Sequence, residues 1–220
     1  MNRKLTAWRK SRKFGDIHGG RTRLRLTDNI FKRCHSLKKP SINDDLPILI
    51  EDNPSKDFFF PLSVHEVERA LKALPEPDHK EITHIWLRRL KKSDYENGQT
   101  PLAEFICGSG VRVIILYPIP RSMIIELGRK KPSSRKLKEL GNWCGDISLK
   151  NGRWCAKWKL PELRKYYIGN LLYHEVGHHI DWYSHNWSKT NSKKLEGHAD
   201  KYAFQKTATA TYIFNKLESA

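Results

Sequence analysis

The sequence predicts an α+β domain, and three observations carry that prediction. Helix-start signals stand at Ser63 and Pro161, and short β-rich runs are separated by the tight-turn strings Gly108-Ser109-Gly110 and Asn151-Gly152. The chain of 220 residues, 38% hydrophobic, is long enough for one ordinary core and short for two.

In chain order, residues 1 to 40 hold 13 Lys and Arg against 2 acids, so most of the excess behind the formal charge of +17 is N-terminal. With few apolar anchors and the pair Gly19-Gly20, they read as a basic arm that is expected to be poorly ordered. Within it residues 21–26 alternate like a strand, suited to a sheet edge. Ser63 and Glu66 have capping-box spacing with Leu62 and Val67 placed as a hydrophobic staple, which predicts a helix over residues 63–73, ended by Pro75 and Pro77. Strand-like runs follow at 82–90, 102–107 and 111–117, and they predict a small, largely antiparallel sheet. Pro132-Ser133-Ser134 opens a short basic helix to about residue 140. Residues 143–150 and 153–159 form a hairpin about Asn151-Gly152. Pro161 begins a helix extended to residue 183, and after a polar stretch a last helix covers residues 195–217.

That hairpin also bears on the cysteines. A two-residue loop pairs Lys150 with Arg153 and Ser148 with Cys155, which leaves Cys144 four residues, roughly 13 Å, along the ladder. A disulfide needs Cα atoms within about 7 Å, which argues against a Cys144–Cys155 bridge, and Cys34, Cys107, Cys144 and Cys155, which form no paired spacing, are expected to be free thiols. Free thiols, a mean hydropathy of −0.68 and no apolar run long enough to span a bilayer lead to the expectation of a cytoplasmic chain without a membrane partner. The basic start has no apolar block of the kind that a secretory signal needs.

The chemistry is concentrated in His174-Glu175-Val176-Gly177-His178. Residues four apart on a helix share a face at about 5–6 Å, so both imidazoles can bind one tetrahedral zinc while Glu175 stands beside it. A catalytic zinc takes a third protein ligand, and Glu196-Gly197-His198-Ala199-Asp200 supplies candidates on the next helix. Glu196 and Asp200 share a face, which lets one reach a metal while the other accepts a hydrogen bond from a ligand histidine. Glu196 and His198 are about 200° apart around a helix and cannot both face the metal.

With HExxH followed by Glu-x-x-x-Asp on a later helix, the chain resembles the gluzincin class of zinc metallopeptidases over residues 63 to 217. The resemblance implies a zincin-like domain over residues 41–220, in which the small sheet packs on a metal-bearing helix and a following glutamate helix. It implies Zn2+ held by His174, His178 and Glu196, Glu175 as general base for hydrolysing a polypeptide, and Asp200 supporting His174. Glu196-Gly197-His198 is also similar to the segment that Spartan and SprT-like proteases use, which makes His198 the alternative third ligand and nucleic-acid association an alternative setting. The metzincin pattern is absent, because Asp181 and Ser184 stand where it has Gly and His.

The gluzincin pattern does not say which residue stabilises the oxyanion; Tyr202, His198 and His185 are candidates. The strand at 153–159 is the candidate for pairing with an extended peptide, where Lys157 and Lys159 favour acidic neighbours. Trp143, Trp154, Trp158, Trp182 and Trp187 surround the site region as packing or a substrate pocket. A reading of another class treats the chain as a nucleic-acid-binding protein, with residues 1–40 contacting phosphates or another acidic partner and Trp side chains stacking on bases.

Overall fold

The computed structural model describes residues 30–33, 37–96, 101–184 and 192–219. The chain is α+β, with three small open sheets and several helices among the described residues. The principal sheet contains β1 (Ile48–Glu51), β3 (His84–Leu87), β5 (Val111–Leu116) and β4 (Ala103–Gly108), in that order. The two-stranded ribbon β2 (Phe58–Phe59) with β6 (Ile119–Pro120) lies beside it. A third sheet takes the order β7 (Ile124–Gly128), β9 (Arg153–Lys157), β8 (Asp146–Lys150).

Both predicted hairpins form. In β4–β5, Gly108 faces Val111 across Ser109 and Gly110, whose φ values of 54° and 79° suit a turn with the twist of the strands. In β8–β9, Lys150 faces Arg153 and Ser148 faces Cys155, as the Asn151-Gly152 turn requires. Cys107, Cys144 and Cys155 are free and buried, whereas Cys34 lies outside the described residues. The expectation of a largely antiparallel sheet needs correction, because β1, β3 and β5 of the principal sheet run parallel to one another. A hairpin advertises itself in its turn; parallel neighbours are joined through distant crossovers and leave no such local mark.

Period-two alternation sends Ile85, Leu87, Ile114 and Leu116 into one core and Trp86, Val113 and Ile115 into a second on the other face. The first core lies under α1 (Val64–Lys72) and the helices of the C-terminal half. Ile30 and Leu37 belong to the second core, so part of the segment expected to be a loose arm is packed into the fold; residues 1–29 lie outside the described residues.

The predicted helix over 161–183 is three consecutive pieces: α3 (Leu160–Tyr166), a π-helical turn (Tyr167–Leu172) and α4 (Tyr173–Ser184). Tyr167 donates to the Tyr117 carbonyl at 2.7 Å and Tyr173 to the Ala70 carbonyl at 3.0 Å, which anchors this run to β5 and α1. The predicted last helix divides at Lys206 into α5 (Ser192–Gln205) and α6 (Thr207–Glu218). The short basic helix is α2 (Ser134–Gly141). Among the described residues no helix is long and apolar enough to cross a membrane.

Candidate metal centre

The π-helical turn passes directly into α4, which carries His174, Glu175 and His178, and α5 crosses it with Glu196 and Asp200. The crossing is close because of two small residues. A Cβ placed on Gly177 would lie 2.7 Å from the Ala199 Cα and 3.2 Å from its carbonyl oxygen, so only glycine allows this separation. Ala199 is fully buried at the same point.

Across that crossing, His174 Nε2 lies 3.4 Å from one oxygen of Glu196 and His178 Nε2 lies 3.6 Å from the other. One donor atom from each of the three residues falls within 4.8 Å of the other two, a group able to hold a metal ion. The imidazole rings meet edge to face with centroids 4.6 Å apart. Each nitrogen faces a different oxygen of the Glu196 carboxylate, so the three side chains surround a space of the size that a small cation with two or three such ligands needs. The remaining ring nitrogen of His174, Nδ1, is 3.1 Å from Asp200 Oδ1, an arrangement that orients the ring with Nε2 toward the group.

The electrostatics agree with the geometry. Burial pushes the Glu175 carboxyl up to about 7, against the pull of the two histidines. A base for neutral-pH proton transfer is best poised there. Burial disfavours protonating His174, but Glu196, Glu175 and Asp200 outweigh it and the net shift is upward. The same histidines, through hydrogen bonds, hold the Glu196 carboxyl well below the usual carboxylate range. A proton on His174 would therefore compete with any cation held there from a higher pH than on an isolated imidazole.

These groups line a cleft of about 600 Å³ walled by residues 101–105 and by Tyr166, Asn170 and Leu171. β4 is an edge strand of the principal sheet and forms that wall.

Thus His174, Glu175, His178, Glu196 and Asp200 are brought together from two helices. Other candidates are placed elsewhere. His198 turns to the opposite side of α5, with Nδ1 3.4 Å from Asp181 Oδ1. Tyr202 donates to Asp78 at 2.7 Å, where Lys206 Nζ also lies at 3.3 Å, so its hydroxyl is engaged in tying α5 to the segment after α1. His185 and Trp187 lie outside the described residues. His179 is buried edge to face against Phe105. Trp143 and Trp158 pack on Tyr166, and Trp154 lies under Lys131 at the far end of β9.

The expectation that residues 153–159 offer a free edge to peptide is overturned. β9 is the central strand of its sheet, paired on one side with β8 and on the other with β7. The sequence reading missed β7, whose Met123 and Gly128 flanks adopt positive φ and whose ladder is bulged between Glu126 and Gly128. It also missed Gly177 as the helix-crossing residue, although a glycine inside a helix, which costs up to about 1 kcal/mol, is a signal of close approach.

Comparison of the chain with protein-family models, with curated proteins and with solved structures finds no match in any of the three. The functional reading therefore rests on the chain's own residues and their arrangement.

Proposed function

We propose that the chain is a zinc-dependent peptidase. One observation carries this reading: two imidazoles and a carboxylate converge within 4.8 Å, with the buried carboxyl of Glu175 beside them. A cation held by His174, His178 and Glu196 would polarise the scissile carbonyl and acidify a water in the cleft.

The protein's own groups then account for the remaining steps. Glu175 accepts a proton on its carboxylate from the attacking water and passes it to the departing amine nitrogen, a shuttle suited to a group titrating near 7. Asp200, accepting from Nδ1 of His174, keeps Nε2 of that ring directed at the cation. The outer edge of β4, the last strand of the sheet among the described residues, replaces residues 153–159 as the element that aligns an extended polypeptide, through main-chain hydrogen bonds along residues 101–105. The geometry favours Glu196 over His198 as third ligand, because only Glu196 lies against both histidines.

Metal analysis and peptide cleavage on wild type, Glu175→Gln, Glu196→Ala and His198→Ala test the reading. Wild type is expected to hold one zinc per chain. Glu175→Gln keeps that zinc and loses about 10²-fold or more in rate, whereas Glu196→Ala weakens zinc far more than His198→Ala does. Cleavage that survives Glu175→Gln sinks the mechanism, and the reverse order of zinc loss moves the third ligand to His198.

A further inference from the structure

We infer that the third sheet and α2 form a basic exosite that holds an acidic stretch of the polypeptide substrate beside the metal cleft. That the ligand is a substrate rests on the peptidase reading; the charge and shape of the surface do not. The charge of the chain beyond residue 40 is gathered in one place. Residues 121–159, which build β7, β8, β9 and α2, hold 11 Lys and Arg against 3 Asp and Glu, whereas residues 41–120 hold 9 against 13 and residues 160–220 hold 8 against 6. Of those 3 acids, Glu126 is already engaged by Arg153. Arg129, Lys130 and Lys131 follow one another, exposed, after β7, and neither Arg129 nor Lys130 forms an ion pair among the described residues. Like charges collected without counter-charges repel one another, and an arriving anion relieves that repulsion.

The same region presents an apolar anchor. Leu149 of β8 faces Trp154 of β9, and strand alternation puts both on the side where Ile125 and Ala156 enter the first core. Past the margin of that core, Leu149 keeps 58% of its surface exposed. Gly128 stands opposite Trp154 on β7, and a Cβ there would meet nothing within 4 Å, so that strand lays no side chain against the ring. Lys131 Nζ lies 5.8 Å from the ring centroid. Cations set around a partly uncovered aliphatic and aromatic pair complement a segment that carries acidic residues with an apolar side chain among them.

Position favours a polypeptide over a nucleic acid. α2 packs against β8 and also places Lys136 in the lining of the metal cleft, together with His174, Glu175 and residues 101–105 of the β4 wall. One basic element therefore serves both the charged lobe and the cleft. An extended polypeptide that is acidic to one side of its scissile bond uses both; a nucleic acid has no use for a cation among the groups that would cut a peptide.

The test uses the full chain carrying Glu175→Gln, loaded with zinc, so that binding is measured without turnover. Labelled, unstructured Gly-Ser peptides with one Leu and either a cluster of Glu or the same cluster of Gln are titrated by fluorescence anisotropy at low salt, with a single-stranded oligothymidine as a third probe. The Glu peptide is expected to bind about tenfold more tightly than the Gln peptide, and the gap should close near 1 M salt, where the screening length falls to about 3 Å. Adding Lys130→Glu with Lys131→Glu should reduce the ratio below about threefold with zinc content unchanged. Lys80→Glu with Lys91→Glu, which reverses two exposed lysines outside the lobe, makes the same change in net charge and should leave the ratio as it was. Equal binding of the two peptides, or equal loss of the ratio in both double variants, overturns the exosite. An oligothymidine that binds more tightly than the Glu peptide, and loses that advantage only with Lys130→Glu and Lys131→Glu, overturns it in favour of nucleic acid. If the wild type holds no zinc or cleavage survives Glu175→Gln, the peptidase reading fails by itself, since the binding ratio and its loss in the variants are read without catalysis.

Discussion

Gly177 sets how closely α4 and α5 approach, and hence how near Glu196 stands to the two histidines. A methyl group there meets Ala199 backbone at 2.7 Å, and backbone cannot rotate out of the way. Gly177→Ala should therefore separate the helices, costing about 1–3 kcal/mol in thermal or denaturant unfolding despite alanine's better helix propensity. Zinc affinity, followed by competition with a chelating dye, should fall about tenfold or more, since a displacement of Glu196 by a fraction of an ångström spoils the coordination distances. An unchanged affinity would show that Gly177 has no part in placing Glu196. The paired histidines were legible because their relation is contained in one turn of helix. The demand for glycine between them was not, because the atom it avoids belongs to residue 199.

At the scale of the element, α1 shows how a local signal acquires a distant partner. Glu66 accepts from the Ser63 N–H at 2.8 Å and receives the Arg164 guanidinium at 2.5 Å. Burial opposes its ionisation, but the hydrogen bonds from Ser63 and the charge of Arg164 prevail, and its pKa is lowered. A carboxyl with a depressed folded-state pKa stabilises the protein above its unfolded pKa of about 4.3 and loses that contribution as pH falls through the folded value. Glu66→Gln is expected to cost about 1–3 kcal/mol near pH 7, and the gap from wild type should close below about pH 4 in urea titrations. A pH-independent difference would assign the effect to packing. The capping box was readable from Ser63 and Glu66 alone, three residues apart. Arg164 lies 98 residues away, and nothing in the order of residues announces that it completes the cap.

For the molecule as a whole, the principal sheet is covered on both faces, and this draws Ile30 and Leu37 into a core. Leu37 is 4% exposed within the second core, together with Ile30 and residues of β3 and β5. Leu37→Ala should cost about 2–5 kcal/mol in equilibrium unfolding, the range for removing a buried leucine. A loss within a few tenths of a kcal/mol would return this segment to the basic arm. Composition concealed its role, because two buried apolar residues are outnumbered by the charges around them.

The sequence by itself determined what neighbouring residues decide among themselves: the His-Glu-x-x-His face, the Ser63 cap, the two hairpins with their register, and the separation of Cys144 from Cys155. Each depends on one helical turn or one two-residue loop. The tertiary structure alone decided that β1, β3 and β5 run parallel, that Glu196 rather than His198 lies against the histidines, and that β4 is the strand that walls their cleft. Those outcomes depend on which surfaces meet when both cores close, and packing between distant segments leaves no periodic trace in the chain.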